Sequence, residues 1–461
     1  MKLFDDVLFQ QFAERGLMTL TGGGAEYGEC ALTARRITEG DADSWHREWT
    51  ATATMLQGWA ESSDEAGHRV SAREAYLRAS TYHRMSYYPL FGAPVDPRLS
   101  AAAARERDCF ARFAELCDPP LRPVRVPFEG TYLDGYLCPA QGPSGAGPSA
   151  VAGAAGAAGA AAEEPRRPLV IAVNGYDSNV HEMYWAHALA ATRRGYHCLL
   201  VDGPGQGLAL IAQGLTMRPD WENVLRPVVD TAVTLPGVDP RRIAVVGWSL
   251  GGFLAPRAVS GEPRVAALVA DPGQYDLLAV LVPQLPIPQA LAERLPDVDP
   301  ADLEPHLAPL AADPVLRWRL VQRGLWVHGL DSLGAYVVDL ARYRISDVVG
   351  GITCPTLVAA GAGDPLAARA DTLYEALTCP KTFVRFTEGE GADGHCEAWN
   401  RSRYSQRVYD WLDETLSAGG APDAAPEPGA ARGRDSGRGQ RPARGEDSAR
   451  PQETVRTSGV L

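Results

Sequence analysis

The chain has 461 residues, 45% of them hydrophobic and 22% charged, which is the composition of an ordinary globular protein with a sizeable core. Its net charge of −13 argues against a nucleic-acid backbone as partner, because phosphate binding needs clustered lysine and arginine. No segment approaches the roughly 20 apolar residues of a membrane span.

The N-terminus, M-K-L-F-D-D-V-L-F-Q-Q-F, has acids near its start and no continuous apolar run, so no secretory leader is expected. The eight cysteines form no C-x-x-C pair and read as buried thiols of a cytoplasmic protein.

Residues 1–122 are expected to form a helical domain. Ser71-Ala72-Arg73-Glu74 has the spacing of a capping box, in which the Ser and Glu side chains satisfy the first free N–H groups of a helix. In the helix it would open, Tyr76, Ser80, His83 and Tyr87 share one face. Tyr76, His83 and Tyr87 are therefore candidates for a pocket wall, the alternative being helix-on-helix packing. A second helix is expected over 100–117, with Phe110, Phe113 and Leu116 turned to a partner.

From Val124 the texture changes. V-R-V-P-F and T-Y-L-D-G-Y-L-C flank an E-G turn and predict an antiparallel pair. Short apolar runs then follow at 168–175, 197–202, 242–247, 265–270, 355–361 and 381–386, separated by helical stretches. That alternation predicts a mostly parallel sheet with helices on both faces. The stretch of about 273–350 is too long for a loop and is expected to be a helical cap. The sheet-bearing domain spans 123–416, interrupted by an Ala/Gly/Pro-rich insert at 139–167, and an unstructured tail covers 417–461.

Gly247-Trp248-Ser249-Leu250-Gly251, between an apolar strand and a helix, matches the nucleophile elbow G-x-S-x-G. The spacing has a physical reason: the serine occupies a tight turn in which a side chain at either glycine would strike backbone. The Ser249 oxygen then stands clear of the sheet, and the Leu250 N–H points at the substrate oxygen. Of the histidines after Ser249, His306 and His328 fall in the cap, whereas His395 follows the last strand, where the base is expected. Asp364 leaves the preceding strand and is the candidate acid, with a helix N-cap as its other reading. The second oxyanion donor is Tyr176 or a neighbour in A-V-N-G-Y-D-S-N-V-H-E (172–182). Trp248, beside the serine, is a candidate pocket residue.

Three apparent motifs fail. D-G-P-G-Q-G (202–207) lacks the third glycine of a dinucleotide loop and reads as the turn after the fourth strand. His181-Glu182-Met183-Tyr184-Trp185 begins like H-E-x-x-H but carries tryptophan at the second ligand position, so no metal is expected. Cys396 reads as a packed thiol. No cofactor is expected.

Over residues 60–410 the chain resembles a branch of the α/β-hydrolases. The residues that carry the resemblance are G-H-R-V-S-A-R-E-A-Y-L-R-A-S-T-Y-H-R, G-Y-D-S, V-D-G-P-G-Q-G, G-W-S-L-G-G and D-G-H-C. The branch includes 2,6-dihydroxypseudooxynicotine hydrolase, the polyketide-shortening hydrolases of fungal pigment pathways and esterase-like relatives. The resemblance implies an α/β-hydrolase fold whose N-terminal helical domain covers the sheet, and a triad of Ser249, Asp364 and His395. It also implies a role for Asp177, which stands where the C–C hydrolase has a glutamate in G-L-E-S. On sequence alone Asp177 also reads as a helix N-cap.

The expected reaction is cleavage of a C–C bond, of retro-Claisen type, in a β-diketone, acyl-phenol or polyketide-like small molecule. The competing expectations are a carboxylesterase or thioesterase, and a non-catalytic ligand-binding protein on the same scaffold. A homodimer is an expectation for an enzyme with a cap and no evident edge protection.

Overall fold

A computed structural model describes residues 2–141 and 166–418. Most of the expected insert and nearly all of the expected tail lie outside the described residues. The ends of the insert are strands: β2 (Thr131–Cys138) precedes it and β3 (Arg167–Val173) follows it.

The first 116 residues build α1 (Val7–Leu17), α2 (Tyr27–Ala34), α3 (Ala42–Glu65), α4 (Arg69–Ser86) and α5 (Pro97–Leu116). The expected capping box is not used. Helix α4 begins two residues before Ser71, because α3 ends at a tight turn in which Gly67 takes a left-handed conformation (φ 78°). The His68 N–H donates back to Ser63 O at 2.8 Å, leaving only Ala66–His68 between the helices. Small residues let α3, α4 and α5 approach closely: Ala53, Ala60, Ala72, Ala79 and Ala103 are fully buried.

The sheet has eight strands in the order β1-β2-β4-β3-β5-β6-β7-β8. Strand β1 (Arg122–Phe128) pairs antiparallel with β2, and β2 antiparallel with β4 (His197–Val201). The Glu129-Gly130 turn between β1 and β2 has positive φ at both residues, 43° and 83°. The remaining strands run parallel: β3, β5 (Val238–Trp248), β6 (Ala267–Asp271), β7 (Thr356–Gly361) and β8 (Lys381–Phe386). Strand β1 alternates exposed and buried residues, whereas β4, β6 and β7 are buried throughout. Alternation marks a strand with one wet face, and continuous burial marks a sheet covered on both faces. Short helices between Leu277 and Leu340 form the cap over the carboxyl ends of the parallel strands.

Helix α1 reaches this cap. Phe12 packs edge-on against Trp318 with ring centroids 4.8 Å apart, and the Trp318 indole N–H donates to Tyr88 O at 2.7 Å. The N-terminal helices and the cap together close the space above the sheet.

The turn after β5 shows why its glycines are needed. A Cβ on Gly247 would lie 2.0 Å from Gly251 O, and one on Gly251 would lie 2.3 Å from Val173 O. Both obstacles are backbone, so neither can swing aside. Gly247→Ala is expected to lower stability by about 3 kcal/mol or more, read as a drop in the urea midpoint at unchanged slope.

Candidate active site

Ser249 sits between β5 and the helix Gly251–Val259 with φ 59°, a left-handed conformation that costs a non-glycine residue roughly 1–3 kcal/mol. That strain turns the side chain away from the sheet. His395 Nε2 lies 2.8 Å from Ser249 Oγ, and His395 Nδ1 lies 2.8 Å from Asp364 Oδ2. Asp364 also caps the turn that follows it, its Oδ1 accepting from Leu366 N at 3.0 Å. Asp364 thus meets the imidazole through one carboxylate oxygen and caps the next turn through the other.

The imidazole exposes 40% of its side chain to the cavity, while the Asp364 carboxylate is buried. Burial by itself lowers the His395 pKa, but Asp364 outweighs it and the net shift is above the ordinary value of 6.5. A base must be neutral to take the serine proton, so activity is expected to be lost as pH falls through this raised pKa. Asp364→Asn is expected to move the acid limb of kcat/KM to lower pH and to reduce kcat by about 10⁴-fold.

Among the described residues the N–H groups of Leu250 and Tyr176 have no hydrogen-bond partner. Gly175 makes the approach possible, since a Cβ there would lie 2.8 Å from Ser249 Cβ. Two unpartnered donors on residues that line the same cavity as Ser249 fit the requirement of an oxyanion hole.

Ser249 opens into a cavity of about 440 Å³. Its apolar walls include Phe12, Trp185, Trp248, Leu281 and Trp318, and its polar wall includes Arg15, Asp177, Glu182 and Arg323. Trp248 thus lines the cavity as expected. Tyr76, His83 and Tyr87 do not, because their helix face is spent on packing between helices. His83 Nε2 lies 3.2 Å from Gln57 Oε1 on α3, and Tyr76 neighbours Arg112 on α5. Tyr87 accepts from Arg84 and donates to Glu106 Oε2 at 2.5 Å.

The model of the alpha/beta hydrolase family matches residues 170–411. The hydrolase acrC of Aspergillus aculeatus is 34% identical over 424 residues, covering 87% of this chain and 94% of that protein. The chain belongs to the alpha/beta hydrolase family.

A second relative of this hydrolase, the 20-hydroxy-prefusarin hydrolase FUS2 of Gibberella moniliformis, is 30% identical over 440 residues, covering 90% and 98% of the two chains. The crystal structure of 2,6-dihydroxy-pseudo-oxynicotine hydrolase superposes with a TM-score of 0.66 at 23% identity, over 87% of this chain and 96% of that one. The likeness to that structure is one of fold, and in this chain the helices α1 to α5 precede the sheet. No helix of its described residues is long and apolar enough to cross a membrane.

The hydrolase differs from its sequence reading most at Asp177. The helix cap is supplied by Asn179, whose side chain accepts from Glu182 N at 3.1 Å. Asp177 instead takes Arg15 Nη1 at 2.9 Å on Oδ1 and Arg323 Nη1 at 3.2 Å on Oδ2. Burial alone would raise its pKa, but Arg15, Arg323 and Arg84 outweigh burial and hold it well below the ordinary carboxylate value. The group is ionised, so it does not donate a proton.

Glu182 pairs with Arg15 and with Arg84, each at 2.9 Å, and accepts from Tyr88 OH at 3.1 Å. Behind it, Glu106 of α5 receives His181 Nδ1 and Asn179 Nδ2, both at 2.6 Å. These ion pairs join α1, α4, α5, the turn and helix that carry Asp177 and Glu182, and the cap segment that carries Arg323. Glu182 entered the sequence reading in a failed zinc motif and as the follow-up to a helix cap, His181 in the zinc motif alone, and Arg15, Arg84, Glu106 and Arg323 were given no role in it. Arg319 and Arg323, four residues apart in a tryptophan-containing cap segment, were the one visible signal.

Cys396 is fully buried with Sγ 3.2 Å from Ser249 N, and burial pushes its thiol pKa well up. A protonated thiol with no access is packing, not a nucleophile. All eight cysteines are free, six of them buried.

Proposed function

We propose that the protein hydrolyses a carbon–carbon bond of a β-diketone, acyl-phenol or polyketide-like small molecule through an acyl-enzyme on Ser249. His395 Nε2 takes the Ser249 proton as Oγ adds to a ketone carbonyl. The oxyanion lies against the Leu250 and Tyr176 N–H groups. When the tetrahedral adduct collapses, the C–C electron pair leaves with the departing carbon as an enolate or electron-rich aryl carbanion. The proton on His395 quenches it. Water, deprotonated by His395, then adds to the acyl-enzyme and releases a carboxylic acid. The sum is ketone plus water giving acid plus the shortened ketone or phenol.

One observation favours carbon over oxygen as the leaving atom. The turn that brings the Tyr176 N–H to the serine also carries ionised Asp177, which holds two guanidiniums at the cavity wall. An activated ester expels a stable alkoxide or phenolate without such help. A carbon leaving group must place its charge on a neighbouring oxygen, where a cationic wall stabilises it. The cavity volume suits a small molecule, and one relative, named as a 20-hydroxy-prefusarin hydrolase, supports that class.

Activity against 1-phenylbutane-1,3-dione and 2-acetylphloroglucinol, set beside p-nitrophenyl acetate, tests the reading. Release of acid and shortened ketone or phenol is the expected result. Turnover of p-nitrophenyl acetate alone would make the protein an esterase.

A further inference from the structure

The polar wall of the cavity that Ser249 lines has an excess of positive charge. Arg15, Arg319 and Arg323 line it with two carboxylates, Asp177, shared by Arg15 and Arg323, and Glu182, shared by Arg15 and the Arg84 behind it. Arg323 is less satisfied than Arg15, which bonds through all three of its nitrogens. It gives Asp177 one hydrogen bond at 3.2 Å, and its buried Nε has no partner among the described residues. Its guanidinium lies over the Tyr176 ring, 4.8 Å from the centroid, and 5.2 Å from that of Trp318. Arg15 is close enough to His395 to lower the pKa of the imidazole, so the cationic wall and the serine face one space.

A guanidinium that is desolvated and only partly paired costs free energy in the empty cavity, and a ligand that completes its pairing recovers that cost. The planar fork suits a carboxylate or an ionised enol or phenol. Asp177 accepts from an arginine on each of its oxygens and so ties the two guanidiniums to the turn that carries it.

We propose that Arg323, with Arg15 beside it, is an anion-recognition site, and that the natural substrate carries an ionised oxygen acid on the departing side of the scissile carbonyl. Asp177 is then a positioning residue that fixes the two guanidiniums. The proposal rests on the cavity being the substrate site, as the proposed function has it, but not on which bond is cut.

The test is binding to Ser249→Ala by calorimetry, which needs no turnover. Two matched pairs serve as probes: 4-phenylbutyrate with 4-phenylbutanamide, and 4-hydroxycoumarin with 4-methoxycoumarin. The anion of at least one pair is expected to bind about 10-fold more tightly than its neutral partner or better. Preference in the first pair assigns a carboxylate, in the second an acidic enol. Adding Arg323→Gln is expected to erase the preference and Arg323→Lys to keep part of it, in variants whose melting temperatures show them folded. Equal binding within both pairs overturns the proposal even without a variant. So does a preference that survives Arg323→Gln. Anion preference in a protein that cleaves no C–C bond overturns the proposed reaction and leaves the anion site standing.

Discussion

Ser249→Ala is expected to lower kcat by about 10⁴-fold or more on every substrate the protein turns over, with little change in stability. Alanine keeps the Cβ, so the backbone at φ 59° bears the same strain in both proteins. The change deletes one hydroxyl, whose hydrogen bond to His395 is 2.8 Å long. Stability should move by no more than about 1 kcal/mol. The Leu250 and Tyr176 N–H groups stay in place, so a residual rate above that of water is expected from charge stabilisation alone. A fluorophosphonate should label the native protein stoichiometrically and leave the variant unlabelled. Labelling of the variant would move the nucleophile elsewhere, and absence of labelling in the native protein would revive a non-catalytic role.

Asp177→Asn is expected to separate two kinds of turnover. Asparagine keeps one acceptor oxygen and turns an N–H₂ toward one of the two arginines, so a guanidinium loses its partner and meets a donor. Breaking a buried ion pair in this way costs about 3–5 kcal/mol. The displaced Arg323 and Arg15 should reduce C–C cleavage at least about 10-fold more than hydrolysis of p-nitrophenyl acetate, whose leaving group needs no cation. The pH dependence has a defined sign. The Asp177 pKa is lowered in the folded protein, so its stabilisation is present above the ordinary value of 3.8 and fades as pH falls below it. The variant should therefore lose less stability than the native protein between pH 4 and the acid transition. Equal loss of both activities, in step with stability, would make Asp177 structural only.

The chemistry nearest Ser249 was legible because it is local. G-W-S-L-G fixes a turn by sterics that any reader of sequence can apply, and chain order then points to Asp364 and His395. The sheet was equally plain: strands buried on both faces must be continuous apolar runs, and those from β3 to β8 stand within a few residues of where those runs place them. The N-terminal helices were legible as helices but not in their facing. Tyr76, His83 and Tyr87 share a stripe whether that stripe meets a cavity or another helix, and periodicity cannot distinguish the two. The start of α4 was misplaced because a glycine turn at Gly67 let the helix begin before its apparent box. The charged wall was beyond reach for a different reason. Arg15, Glu182 and Arg323 are ordinary surface-type residues until three distant segments bury them together, and one-dimensional sequence carries no record of that pairing. Asp177 lay between the two cases: the resemblance singled it out, but its role depends on arginines that no motif predicts.

The most direct test is product analysis of 1-phenylbutane-1,3-dione incubated in ¹⁸O-labelled water with the native protein and with Ser249→Ala. The account predicts one equivalent of carboxylic acid carrying ¹⁸O and one of the shortened ketone from the native protein, and neither from the variant above the uncatalysed rate. Equal product from both proteins would contradict it.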